Sequence, residues 1–191
     1  MLGFHSDGVR LYGASDTLKQ QLKKKKVPLT SALTGNTLVF SIDDKEIIKK
    51  RPHYISFGAS SAPWFVCTLQ GDASFSPQAL CFADETALSH FIAAVYYASQ
   101  EFLHLDIEFS FLKETMGVGT GKVIHAYTED IFGEIPKNQP AICFYFGNGG
   151  FLETDRLFTT LTKDLCLSSE LLTLAGSFSS KRNFLTVFAA K

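Results

Sequence analysis

Glycines alternate with other residues directly before a lysine in the stretch Met116-Gly-Val-Gly-Thr-Gly-Lys122. Such a loop can cradle a phosphate with its backbone amides, and a lysine at its end adds a positive charge. The spacing does not fit a P-loop, which would need glycine at Met116 and a magnesium-ligating hydroxyl at Val123. A dinucleotide-binding loop would need its third glycine at Lys122. We therefore interpret the three glycines as turn or linker residues, and weak anion binding at Lys122 stays the alternative.

A second glycine-rich loop, Gly147-Asn-Gly-Gly150, precedes a predicted helix over residues 152–165. Backbone amides at the start of a helix point outward and carry partial positive charge, so they can receive an anion. Gly149 and Gly150 therefore join Lys122 as candidate anion-binding residues.

Four consecutive lysines, Lys23 to Lys26, form the one basic run of the chain. They follow a short helical pattern over residues 16–22 and precede Pro28. Cations at this place complement the negative end of a helix dipole before a proline stop, which is the interpretation we prefer. A local patch for an anion or a lipid headgroup is the alternative.

The residue types that bind metals are too dispersed to form a recognisable site. None of the five histidines forms an H-x-x-x-H pair, and no two of the four cysteines approach C-x-x-C spacing. We predict no metal and no cofactor, and the catalytic residues, if any, stay unknown. The cysteines lie among apolar residues and are expected to be buried and reduced, which indicates an intracellular, cytoplasmic protein. They are Cys67, Cys81, Cys143 and Cys166.

Composition sets the broad class. The chain has 191 residues, of which 46% are hydrophobic, and a formal net charge of -1. These values predict one folded unit with an ample core, and they give no basic excess that would favour nucleic acid as a partner. The longest apolar stretch, residues 91–98, is far shorter than the roughly 18–20 residues of a membrane span, so a soluble protein without a span is expected.

Hydrophobic periodicity separates predicted strands from predicted helices. Strands are predicted over residues 9–12, 37–42, 53–57, 64–69, 105–111, 141–146, 171–174 and 184–189, with a further apolar run at 78–83. Helices are predicted over 16–22, 84–100 with Asp84 as N-cap, and 152–165 with a cap near Thr154 or Asp155. For residues 122–134, periodicity fits a helix and a strand equally well.

These elements predict an α+β fold with a mainly antiparallel sheet packed against two or three helices. Residues 1–135 would form the α+β domain. Residues 136–191 would add a strand-helix-strand extension to the same globular unit, with the proline-rich stretch 136–140 as the linker.

Four stretches of the sequence occur in an order that is also found in a known protein family. They are the aromatic strand 64–69, the helix 84–100, the stretch Phe102-Leu-His-Leu-Asp-Ile-Glu-Phe-Ser-Phe-Leu-Lys113 and Ile131-Phe-Gly-Glu-Ile135. This order resembles the longin-like small subunits of vesicle-coat adaptors, which carry an L-D-x-x-F-x-F-x-K run and a final helix ending near G-E-I. The resemblance covers residues 1–135. It implies a non-enzymatic binding module, and it would place residues 105–111 in a helix.

The sequence thus predicts an intracellular, non-enzymatic protein-interaction module or a subunit of a larger assembly. Its partner would be another protein, in a homo- or hetero-oligomer. The alternative is a small enzyme or a metabolite- or anion-binding protein that uses the glycine-rich loops 115–125 and 147–150.

Overall fold

One mixed sheet of nine strands organises the chain. The structure is a computed structural model, and it describes residues 5–43, 55–56, 64–70, 79–101, 103, 115–116, 121–164 and 172–191. The strands are β1 (Gly8–Tyr12), β2 (Thr37–Ile42), β3 (Ile55–Ser56), β4 (Trp64–Leu69), β5 (Leu80–Phe82), β6 (Ile124–Tyr127), β7 (Ala141–Phe146), β8 (Leu172–Ser177) and β9 (Phe184–Ala190). Their order is β1-β2-β4-β5-β6-β9-β7-β8, with β3 paired to β4.

The sheet is not mainly antiparallel, so that part of the prediction is wrong. Strands β1, β2, β4, β5 and β6 run parallel to one another, as do β7 and β8. Among the described residues, antiparallel pairing is confined to β9, which lies between β6 and β7, and to the short β3. Where a helix connects two strands, it returns the chain to the end where the first strand started, and the next strand then runs parallel.

Three α-helices connect strands in this way. They are α1 (Asp16–Lys24), α2 (Glu85–Gln100) and α3 (Gly150–Thr159), and a π-helical turn, Thr160–Asp164, continues α3. The mixed α/β content of the prediction is confirmed. None of the helices in the described ranges has the length and the apolar character that crossing a membrane requires.

Side-chain capping explains where α1 and α2 start. The Ser15 side chain accepts a hydrogen bond from the Leu18 amide at 3.0 Å and starts α1. Asp84 is the N-cap of α2, as predicted, and its Oδ1 accepts from the Ala87 amide at 2.7 Å. The predicted cap of the last helix lies five or six residues too late: α3 has Gly149 as its N-cap, and Gly150 takes a φ of 69° where the chain enters the helix.

The segment 122–134, for which hydrophobic periodicity fitted a helix and a strand equally well, contains a short element of each kind. Residues Ile124–Tyr127 form β6, and Glu129–Glu134 form a 3₁₀ helix. The predicted strand over 105–111, which the longin resemblance makes a helix, lies outside the described residues. Gly117, Gly119 and Cys166 lie outside them too.

Two apolar layers cover the two faces of the sheet. Side chains alternate along a strand, so Ile142, Phe144 and Phe146 of β7 join one cluster, while Ala141 and Cys143 join the other. The larger cluster contains the buried residues of α1 and α2, and the smaller one is packed against residues of α3. The buried apolar residues of α1 and α2 thus belong to the same cluster.

The buried cysteines and the tryptophan differ in exposure. Cys67, Cys81 and Cys143 are buried and free of disulfides, as predicted. Trp64 is partly exposed at the start of β4. Its ring stacks on Tyr12 at 5.6 Å and its indole N–H donates to Ser41 Oγ at 2.7 Å.

Candidate functional site

Three segments far apart in the sequence converge on one cavity of about 480 Å³, which we call the basic cleft. The end of α1 supplies three lysines, α2 supplies a histidine and a tyrosine, and the turn before β9 with the first residues of that strand supplies the rest. The lining residues are Lys24, Lys25, Lys26, His90, Tyr97, Lys181, Arg182, Asn183, Phe184, Leu185 and Thr186.

The end of α1 sets the direction of its lysines. The Lys26 amide donates to the Lys23 carbonyl at 2.9 Å, and the Val27 amide donates to the Leu22 carbonyl at 3.0 Å. This pattern closes a helix around one residue in the left-handed conformation, a position that usually holds glycine. Lys26 occupies it with a φ of 56°. At the rim of the cleft, Lys26 therefore adopts a backbone conformation that is sterically unfavourable for residues other than glycine.

His90 links α1 to β9 at the back of the cleft. Its Nε2 lies 3.0 Å from Lys25 Nζ, and its Nδ1 lies 3.0 Å from Thr186 Oγ1. A lysine ammonium can only donate, so Nε2 accepts from it and Nδ1 carries the ring proton, which it donates to Thr186. The Thr186 side chain is fully buried, and its hydroxyl fixes the orientation of the His90 ring.

Tyr97 and Arg182 hold the opposite wall. The Tyr97 hydroxyl donates to the Lys25 carbonyl, which ties α2 to the end of α1. The Arg182 guanidinium stacks over the Tyr97 ring, 4.7 Å from its centroid, and its Nη1 lies 2.9 Å from Glu101 Oε1. The Ser180 hydroxyl donates to the same Glu101 oxygen at 2.9 Å. The turn that carries Lys181 and Arg182 is therefore anchored to α2.

Positive charge dominates the cleft. Five lining side chains are cationic, and no lining residue is acidic. Arg182 is paired with Glu101, whereas the four lysines have no acidic partner among the described residues. Burial lowers the pKa of Lys25. Burial first, and then the charge of Lys25, lower the pKa of His90 to about 4, against a smaller opposite effect of Asp84.

The neutral state of His90 predicts how stability changes with pH. The unfolded histidine has its ordinary pKa near 6.5, so acidification below that value protonates the unfolded chain before the folded one. Stability is complete above about pH 6.5 and falls as the pH drops towards 4. We expect the wild type to lose about 1–2 kcal/mol more than His90→Gln between neutral pH and about pH 5, after allowance for partial exposure.

Urea denaturation of both proteins at the two pH values measures this difference. His125, whose pKa burial also lowers, is present in both proteins and cancels in the comparison. Equal losses in the wild type and in His90→Gln would contradict the assignment of a neutral His90.

The predicted anion-binding residues are not brought together. Lys122 precedes β6, and its Nζ donates to Gln139 Oε1 at 2.7 Å, just before β7 begins. Gly149 and Gly150 follow the opposite end of β7. A strand of six residues is about 20 Å long, so they lie about that far from the Lys122–Gln139 contact. Lys122 and the pair Gly149 and Gly150 therefore lie near opposite ends of β7.

The helix start at Gly149 already faces a carboxylate. A Cβ placed on Gly149 would lie 1.2 Å from Glu153 Oε2, so the Glu153 side chain folds back over that residue. The Gly150 amide donates to the Phe178 carbonyl at 3.1 Å. An incoming anion would meet the negative charge of Glu153 there, and anion binding at this loop stays a prediction that the geometry does not favour.

A second groove, of about 520 Å³, runs along the other side of α1. It lies between that helix and the extended residues Val27, Pro28 and Leu29. Its lining includes Lys19, which is paired with Asp16 at 3.0 Å. This groove has fewer converging charges than the basic cleft.

The sequence pointed to one wall of the basic cleft and missed the other two. Lys23 to Lys26 were recognised as a basic run, and the interpretation as the end of a helix is confirmed, since α1 ends at Lys24 with Lys25 as its C-cap. Three of these lysines also line the cleft. The adjacent pair Lys181-Arg182 in a polar turn was the available signal for the second wall, whereas nothing local marks His90.

No family model, no curated protein and no solved structure matches this chain.

Proposed function

We infer that the protein binds a small polyanion, a compound carrying two or more phosphate groups, in the basic cleft. The observation that carries this function is the convergence of five cations on one cavity whose lining contains no acid. Like charges that line one cavity repel one another, and a bound anion would relieve this repulsion.

The backbone of Lys26 supports the same function. A left-handed non-glycine residue costs about 1–2 kcal/mol relative to the ordinary helical conformation. Glycine would end α1 at this position more favourably, and lysine adds only a charge at the rim of the cleft. Strain of this kind is concentrated at functional sites.

The size of the cleft indicates the size of the ligand. About 480 Å³ lies within the range of small-molecule sites, roughly 300–1,000 Å³. Phe184 and Tyr97, whose rings pack at 5.3 Å, give the cleft an apolar side next to its charges. A compact phosphorylated metabolite fits this combination better than a flat polymer surface would.

Replacing Lys26 by glycine is expected to move stability and binding in opposite directions. Lys26→Gly should raise the free energy of unfolding by about 0.5–1 kcal/mol, because it relieves the left-handed strain. It should weaken tripolyphosphate binding about 3- to 10-fold through the lost charge. Urea denaturation measures the first effect, and isothermal titration calorimetry at low salt measures the second.

Two controls separate charge from backbone strain and from position. Lys26→Ala loses the same charge but keeps a side chain at the left-handed position, so it should weaken binding without the gain in stability. Lys137→Ala removes an exposed lysine at the far end of β7 and should leave both quantities unchanged. Tripolyphosphate affinity that is equal in all three variants and the wild type would rule out the basic cleft as the site.

An interaction module with a protein partner is the second candidate, and one observation favours it. Phe151 and Leu152, at the start of α3, are 70% and 73% exposed, and Phe151 packs edge-on against Phe178 at 6.3 Å. Adjacent exposed apolar side chains are a common feature of interfaces. Sedimentation velocity of the wild type and of the double variant Phe151→Ser with Leu152→Ser tests self-association through this surface. A wild type that stays monomeric at every concentration contradicts a homo-oligomer formed there.

A further inference from the structure

We propose that Lys25 forms a reversible imine with phosphorylated aldehydes that bind in the basic cleft. This activity rests on the proposed function, because the phosphate would be held by the surrounding cations while the aldehyde carbon meets Lys25 Nζ. In the reaction the neutral amine adds to the carbonyl carbon to give a carbinolamine. Loss of the carbonyl oxygen as water then leaves one C=N bond, and hydrolysis reverses the sequence without any oxidant or reductant.

The surroundings of Lys25 differ from those of an ordinary surface lysine. Its side chain is half-buried at the C-cap of α1, and its Nζ has one polar partner among the described residues, the neutral His90 Nε2 at 3.0 Å. No carboxylate of the described residues is paired with it, and four other cations line the same cavity. Burial favours the neutral amine, which is the form that attacks a carbonyl.

The lysines compared with Lys25 are either paired with another side chain or exposed to water. Lys19 is paired with the Asp16 carboxylate at 3.0 Å, and Lys122 donates to Gln139 at 2.7 Å. Lys24, Lys26 and Lys181 line the cleft but are exposed, so water solvates their charge. These differences predict that one lysine reacts in preference to the rest.

His90 is placed to move the proton that the reaction releases. Addition of the amine leaves an extra proton on nitrogen, and Nε2 has a lone pair directed at that nitrogen at 3.0 Å. The imidazole can take this proton and return it to the carbinolamine oxygen, which then leaves as water. The bond from Nδ1 to the buried Thr186 keeps the ring in the required orientation.

The test uses pyridoxal 5′-phosphate as the phosphorylated aldehyde, with borohydride to reduce any imine and peptide mass mapping to locate it. We expect Lys25 to be labelled about 10-fold faster or more than any other lysine. Pyridoxal, which lacks the phosphate, should label it more slowly, and excess tripolyphosphate should protect it. Uniform labelling across the lysines of the wild type would overturn the proposal without the need for any variant.

Titration of the wild type with tripolyphosphate separates this proposal from the function on which it rests. Lys25→Arg tests the imine itself, because arginine can still donate to His90 but cannot form an imine under these conditions. The variant should lose the label at residue 25. Normal tripolyphosphate binding with no preference for Lys25 would defeat the imine alone. Preferential labelling of Lys25 by both aldehydes without tripolyphosphate binding would instead defeat the polyanion site.

Discussion

Replacement of Phe91 by alanine is expected to lower the free energy of unfolding by about 3–5 kcal/mol. Phe91 is fully buried on α2 and joins this helix to the sheet. Its ring lies within 6.5 Å of four other rings, each from a different strand: Phe40, Phe65, Phe82 and Phe188. Removing it leaves a cavity that several rigid partners border, and such a site collapses poorly. Urea denaturation followed by circular dichroism measures the loss.

Phe151→Ala is the matched control for this substitution. It removes the same ring from a position that is 70% exposed, so it should change the free energy of unfolding by less than about 0.5 kcal/mol. A loss below about 1 kcal/mol in Phe91→Ala would contradict the packing described for this cluster.

Gly13→Ala is expected to destabilise the protein by about 2–4 kcal/mol. Gly13 follows β1 with a φ of 72°, and a Cβ there would lie 2.0 Å from the Ile42 carbonyl oxygen at the end of β2. Alanine would therefore add a clash with backbone to the strain of the left-handed conformation, and β1 and β2 would have to move apart. Thermal and urea denaturation both report this loss.

Gly121→Ala isolates the conformational part of that effect. Gly121 has a φ of 76°, almost the same as Gly13, but a Cβ there would have no atom of the described residues within 4 Å. We expect a loss of about 1 kcal/mol from strain alone. Equal losses in Gly121→Ala and Gly13→Ala would show that the close approach of β1 and β2 is not tight. The φ of Gly121 also fits the interpretation of this glycine as a turn residue.

Local sequence determined the elements on which the site is built. The bounds of β2, β4 and β7 follow from continuous apolar runs, and the start of α2 follows from Asp84 before a helical pattern. The end of α1 follows from its lysines and Pro28. Each of these depends on residues within a few positions of one another, through side-chain period, capping and the restrictions that proline imposes.

The direction of the strands and the basic cleft were decided by tertiary structure. Whether a strand pairs parallel depends on how the chain crosses the sheet, which the irregular spacing of helices and strands did not reveal. The bond between Lys25 and His90 joins residues 65 positions apart, and that between His90 and Thr186 spans 96 positions. Lys24 to Lys26 are ordinary helix-ending cations until α2 and the turn before β9 pack beside them. The half-buried position of Lys25 and the cavity that the three lysines share arise only from that packing, because charge repulsion and burial depend on distance in space and no local pattern encodes them.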